Sequence, residues 1–188
     1  MVWVIVAILV IALVVAAVVI ARQRRSQRLQ EGFGPEYGRT LEEKGDRRAA
    51  ESELRERRDR RQQLEIRELD PDSRERYAER WRGAQRTFVD QPGAAVAEAD
   101  RLVSEVMHER GYPVEDDFDR RAADVSVDHP VVVENYRAAH GISVRAARNE
   151  ADTEDLRQAL VHFRALFDEL LGADDRSHDS DEAKEMHR

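Results

Sequence analysis

His129 and His140 are the first residues whose chemistry could define a site: they stand eleven apart, a spacing that would put them on one side of a continuous helix, with Asp124 and Asp128 close in sequence. A metal centre needs several ligands at definite geometry, and the chain has no HExxH or comparable spacing. Helix-cap and surface roles are therefore expected. His162, beside the Leu160 and Phe163 seam, reads as a boundary residue, because a general base needs a positioned partner. His178 and His187 fall in the C-terminal tail. Glu115, Asp116, Asp117 and Asp119 concentrate negative charge but lack the alternating ligands and glycine of a calcium loop, so they read as a solvated helix start. No GxSxG and no phosphate loop occur, and the glycines of GFGPEYG (residues 32–38) do not follow a buried strand as a dinucleotide fingerprint would. Cysteine is absent, which excludes disulfides, cysteine-ligated zinc, iron–sulfur clusters and thiol chemistry. The expectation is no enzyme activity, no cofactor, and no catalytic, cofactor-binding or metal-binding residue.

The clearest element carries no chemistry at all. Residues 2–21 form an unbroken apolar run, and at about 1.5 Å per residue such a helix is roughly 30 Å long, the thickness of a bilayer core. A helix satisfies its own peptide groups where water is absent, so the run is expected to be a single transmembrane anchor. A cleaved signal peptide would place basic residues before the run; here Arg22, Arg24, Arg25 and Arg28 follow it. Basic flanks stay on the cytoplasmic side, which puts the N terminus outside the inner membrane and the rest of the chain in the cytoplasm. Trp3 is either an interfacial anchor or one more apolar residue of the span. The four-residue spacing of Ala12 with Ala16, and of Ala17 with Ala21, permits close helix approach but leaves the oligomeric state open.

The net charge of −8 over 188 residues hides an asymmetry. Residues 22–63 carry 13 basic and 9 acidic side chains, whereas residues 64–188 carry 18 basic and 30 acidic ones. An acidic distal part argues against nucleic acid as a partner, since phosphate attraction needs a basic surface. Residues 22–45 read as a basic juxtamembrane connector, flexible or locally turned where Gly32, Gly34, Pro35, Gly38 and Gly45 fall. Residues 46–69 read as a charged helix and spacer: Glu51/Arg55, Glu53/Arg57 and Glu56/Arg60 stand at i,i+4, acid first, and little apolar surface is left to bury.

A helical bundle is expected over residues 70–172. Asp70-Pro71 supplies a cap and a first-turn proline, and Tyr77, Trp81, Ala84 and Phe88 then share a face. After a break at residues 90–93, Val96, Ala99, Leu102, Val103, Val106 and Met107 make a broad stripe closed by Gly111 and Pro113. Phe118, Ala122 and Val125 mark a shorter helix. Asp128 is expected to cap a fourth, with Pro130 in its first turn and Val132, Val133, Tyr136 and Ala139 facing inward before Gly141. Asp152 and Asp155 bracket the start of the last helix as a capping box; Leu156, Leu160, Phe163, Phe167 and Leu170 follow, and Gly172 ends it. Aromatic rings at helical spacing, Tyr112 included, are expected in the core. Residues 173–188 read as a disordered acidic tail.

Taken together, FGPEYGRT (33–40), ERYAERWRGAQRTFVDQP (75–92), EADRLVSEVMHERGYPVEDDF (98–118), RAADVSVDHPVVVENYRAAH (121–140) and TEDLRQALVHFRALFDELL (153–171) resemble a family of uncharacterised bacterial membrane-anchored helical proteins. The resemblance runs from the connector to Leu171. It implies the same architecture, and it brings no activity, ligand or catalytic residue with it. The reading of the whole is all-α: a single transmembrane helix, a charged juxtamembrane helix and a small bundle. The function expected is a membrane-anchored interaction or scaffold protein whose one assigned partner is the bilayer, through residues 2–21. A membrane-tethered ligand-binding or sensory domain is the alternative.

Overall fold

A computed structural model describes residues 2–114 and 117–172, without the side chains of residues 2, 4–12 and 18. The described residues form eight α-helices and no strand: α1 (Val2–Phe33), α2 (Pro35–Lys44), α3 (Arg47–Gln62), α4 (Pro71–Thr87), α5 (Pro92–Arg110), α6 (Phe118–Asp128), α7 (Val133–Ala147) and α8 (Thr153–Leu170). The chain is all-α, as expected. It divides into two compact units, residues 1–56 and 57–188, the boundary falling inside α3. The expected tail, residues 173–188, lies outside the described residues.

In the first unit α1 carries the apolar run straight through the arginines to Phe33. Among the described residues no helix is long and apolar enough to cross a membrane. The side chains on which the anchor expectation chiefly rests, those of residues 2, 4–12 and 18, lie outside the described set.

The connector expected at residues 22–45 to be flexible or locally turned is helical, with local turns at Gly34 and Gly45. Only two of its four glycines break the helix. Gly34 (φ 45°) ends α1 in a conformation other residues rarely adopt, and Pro35 then opens α2 with its fixed φ. Gly45 (φ 64°) closes α2 with its N–H on the Leu41 carbonyl. Gly32 and Gly38 sit inside helices at a cost of about 1 kcal/mol each relative to alanine. Burial of Leu29, Phe33, Tyr37 and Thr40 offsets it, together with Ala50 and Leu54 on α3, so the charged helix buries more than its composition suggests.

In the second unit α8 packs on α5 and α7, α4 on α5, and α6 on α7. The core contains the residues the stripes indicate, from Tyr77, Trp81 and Ala84 through Val96, Leu102, Val103 and Met107 to Phe163, Phe167 and Leu170. Trp81 stacks on Phe167 with ring centroids 4.5 Å apart, and Tyr136 meets Phe163 edge-on at 6.2 Å. Asp70 caps α4, its carboxylate accepting from the Ser73 N–H at 2.8 Å. The Asp152/Asp155 capping box on α8 is complete. Gly111 ends α5 at φ 97°, where an added Cβ would also collide with the Glu65 carbonyl oxygen, so both conformation and space demand glycine.

Three boundaries differ from the sequence reading. Pro92 and Gly93 belong to α5, with the break at residues 88–91. Asp128 closes α6 instead of capping α7: its carboxylate is taken by the Tyr112 hydroxyl at 2.5 Å and by Arg61. The turn through His129 and Pro130 intervenes, and α7 starts at Val133. Gly141 does not stop α7, because Ile142 and Ala146 beyond it still pack on the core. The helix ends where Asn149 turns left-handed (φ 56°), with Glu150 N–H on Arg145 O at 2.9 Å and Asn149 N–H on Ala146 O at 3.0 Å.

Candidate functional site

Two polar constellations emerge, one in each unit. In the first unit, Ser26, Leu29 and Phe33 form the buried face of α1, and Ala50 and Leu54 that of α3. Beside those faces Arg22 and Arg25 of α1 and Arg47, Arg48 and Arg55 of α3 line a cleft of about 540 Å³. Glu51 is the acid that organises it. Its carboxylate accepts from the Ser26 hydroxyl at 2.6 Å, Tyr37 OH at 3.2 Å and Arg47 Nε at 3.0 Å, with Arg55 Nη2 at 3.6 Å. Arg47 Nη2 also donates to Ser26 Oγ at 2.5 Å. Partial burial works to raise the Glu51 pKa, but the hydrogen bonds from Ser26, Arg47 and Tyr37 outweigh it and hold the carboxyl below its ordinary 4.5.

In the second unit Asp100 and Ser104 of α5, Arg121 of α6 and Tyr136 and His140 of α7 form a polar cluster beneath Phe118. Phe118 stacks flat on His140, ring centroids 3.6 Å apart. Burial raises the Asp100 pKa against the pull of His140 and Arg121, and burial lowers that of His140 against the pull of Asp100. Tyr136 is pushed up to about 12, again chiefly by burial. Asp100 Oδ1, Tyr136 OH and His140 Nδ1 are buried without a well-formed hydrogen bond among the described residues. Ser104 and Arg121 also line a groove of about 480 Å³ that Tyr77, His108 and Arg101 share, whereas Asp100, Tyr136 and His140 lie behind its wall.

The residues singled out from the sequence are dispersed. His129 caps the end of α6, its Nδ1 3.1 Å from Glu169 Oε1, while His140 lies in the separate helix α7, so no continuous helix aligns the two. Asp124 is buried with Arg60 at 3.3 Å. Among the described residues no group of three or more potential ligands could hold a metal ion. His162 Nδ1 meets Asn135 Oδ1 at 3.0 Å at the edge of the bundle. Asp117 caps α6, accepting from the Asp119 N–H at 3.0 Å, whereas Glu115, Asp116, His178 and His187 lie outside the described residues. Tyr77, Trp81, Tyr112 and Tyr136 are buried and Phe88 and Phe118 partly so, which makes them core residues and not a binding surface.

Asp100 and Arg121 are residues the sequence did not mark, and Glu51 was marked only as the helical partner of Arg55, a pair the structure holds at 3.6 Å. Asp100 follows Ala99 on the flank of the α5 stripe, and a lone acid on such a flank is the only signal it gives. No family model, curated protein or solved structure matches the chain.

Proposed function

We propose that the chain is a single-pass membrane-anchored helical interaction or scaffold protein, with residues 2–21 crossing the inner membrane, the N terminus outside and both the basic stretch and the bundle in the cytoplasm. The observation that carries this reading is the exposure of consecutive apolar side chains on α1: Leu13 is 72% exposed, Val14 53% and Val15 55%. Successive helical residues point about 100° apart, and with Ala16 and Ala17 also exposed the helix is bare on every side over residues 13–17. A protein partner on one face would leave the rest in water; lipid covers all of it. The arginines that follow supply the orientation.

For the bundle, an interaction role is supported by how its side chains are used. The aromatic rings are consumed in the core, and the surface offers ordered charge, such as Arg80 held between Glu98 at 3.2 Å and Glu105 at 2.5 Å. A tethered ligand-binding or sensory domain is favoured by one observation, the incompletely paired Asp100/Tyr136/His140 cluster behind the groove.

Alkaline carbonate extraction of membranes carrying the full chain tests the anchor. The protein is expected in the pellet, and in the supernatant once residues 2–21 are deleted. Release of the intact chain overturns the proposal.

A further inference from the structure

Five arginines against one carboxylate is an unusual lining for a cleft. Arg47 and Arg55 are committed to Glu51. Arg22, Arg25 and Arg48 are exposed, and no carboxylate lies within ion-pair distance of them among the described residues. Like charges brought together repel, and an anion of matching size relieves that repulsion. Guanidinium groups entering from two helices present paired N–H donors suited to phosphate oxygens, and the exposed Ser52 adds a hydroxyl at the same wall.

The position along α1 selects the source of the anion. Arg22 and Arg25 lie one and four residues past Ala21, roughly 2 to 6 Å along the axis beyond the apolar run. If that run fills the hydrocarbon core, the cleft opens at the level of the phosphates.

We propose that the cleft of Arg22, Arg25 and Arg48 binds the phosphate of an anionic phospholipid headgroup. This rests on the anchor reading. It goes beyond that reading by replacing diffuse attraction between a basic stretch and a charged surface with a built site, in which Glu51 fixes Arg47 and Arg55 and leaves the other three guanidinium groups for the ligand. Free phosphate shares the chemistry, so the test separates the two.

The full-length protein in detergent micelles is offered phosphatidylglycerol and phosphatidylcholine, and retained lipid is counted by native mass spectrometry. Phosphatidylglycerol is expected to be retained preferentially, and Arg25→Ala/Arg48→Ala to lower its retention roughly tenfold or more. Arg24→Ala/Arg28→Ala removes the same charge from α1 outside the cleft and is expected to lower it by less than about threefold. Arg25→Lys/Arg48→Lys, which keeps the charge, should recover part of the loss, and circular dichroism checks that every variant is folded. Equal losses in the two alanine pairs, or no preference between the lipids, overturn the site. Displacement of bound lipid by millimolar inorganic phosphate overturns the headgroup as its ligand. Carbonate extraction of the same membranes separates the two failures: a chain that pellets yet shows no lipid preference refutes the cleft alone, and a released chain refutes the anchor beneath it.

Discussion

The two units are held together by different physics. The second is closed by rings and branched aliphatics, with Tyr136, Phe163 and Leu166 fully buried and Trp81 stacked on Phe167. The first has a smaller apolar face, of Leu29, Phe33, Tyr37, Ala50 and Leu54, and adds to it one acid, Glu51, that takes donors from α1, α2 and α3. Apolar burial is non-directional and tolerates small shifts, whereas a hydrogen-bonded knot is lost when one member goes. The difference matches the roles proposed: a self-sufficient bundle for partners, and beneath the anchor a polar assembly whose arginines answer to charge.

Core truncation breaks the comparison hardest. Phe163→Ala should destabilise the bundle by about 3 kcal/mol or more, because a cavity is added to the lost transfer energy. Chemical denaturation followed by Trp81 fluorescence measures it. A loss below about 1 kcal/mol with normal folding would place the ring outside the core.

Acidification has the next largest effect, and it falls on the bundle. Burial depresses the His140 pKa from 6.5, with Asp100 and Asp119 pulling it back up and Arg121 adding to the depression. The unfolded chain therefore binds the proton more readily, so this contribution to bundle stability is complete above about pH 6.5 and is lost as the pH falls through the depressed folded value. Asp100, raised from 3.8 by burial, acts with the opposite sign: protons favour the folded form, and its contribution is lost as pH rises through its raised value. Denaturation midpoints should fall as the pH drops below about 6.5, and His140→Gln should flatten that slope. A slope unchanged by the substitution would mean that His140 is not the group responsible.

The smallest effect is expected in the first unit. Glu51→Ala removes the shared acceptor, and amide hydrogen exchange within residues 35–44 of the full chain should accelerate roughly fivefold, the bundle being unchanged. The Glu51 pKa is lowered, so in the unsubstituted protein the same acceleration should begin only as pH falls below about 4.5. Unchanged exchange in Glu51→Ala would show that apolar contacts alone suffice there.

How legible the units were follows the same division. The stripes of α4, α5 and α8 could be read from spacing because apolar burial repeats with the helix, and the caps at Asp70 and Asp152 are local in sequence. The extension of α1 and the existence of α2 were hidden by glycines that only sometimes break a helix, and the length of α7 by Gly141, where packing outweighs propensity. Arg60 illustrates the limit of pairing rules: expected to answer Glu56, it reaches Asp124, 64 residues away. The Glu51 knot joins residues as far apart as Ser26, and the cluster of Asp100, Arg121 and His140 spans three helices; no periodicity encodes either.

The central claim is that one chain crosses the membrane once and keeps its bundle inside. Because the chain has no cysteine, Ser180→Cys gives a single reporter in the C-terminal tail. With the bundle in the cytoplasm, an impermeant thiol reagent leaves it unlabelled in intact cells and labels it after lysis. Labelling before lysis would place the tail outside and contradict the proposed topology.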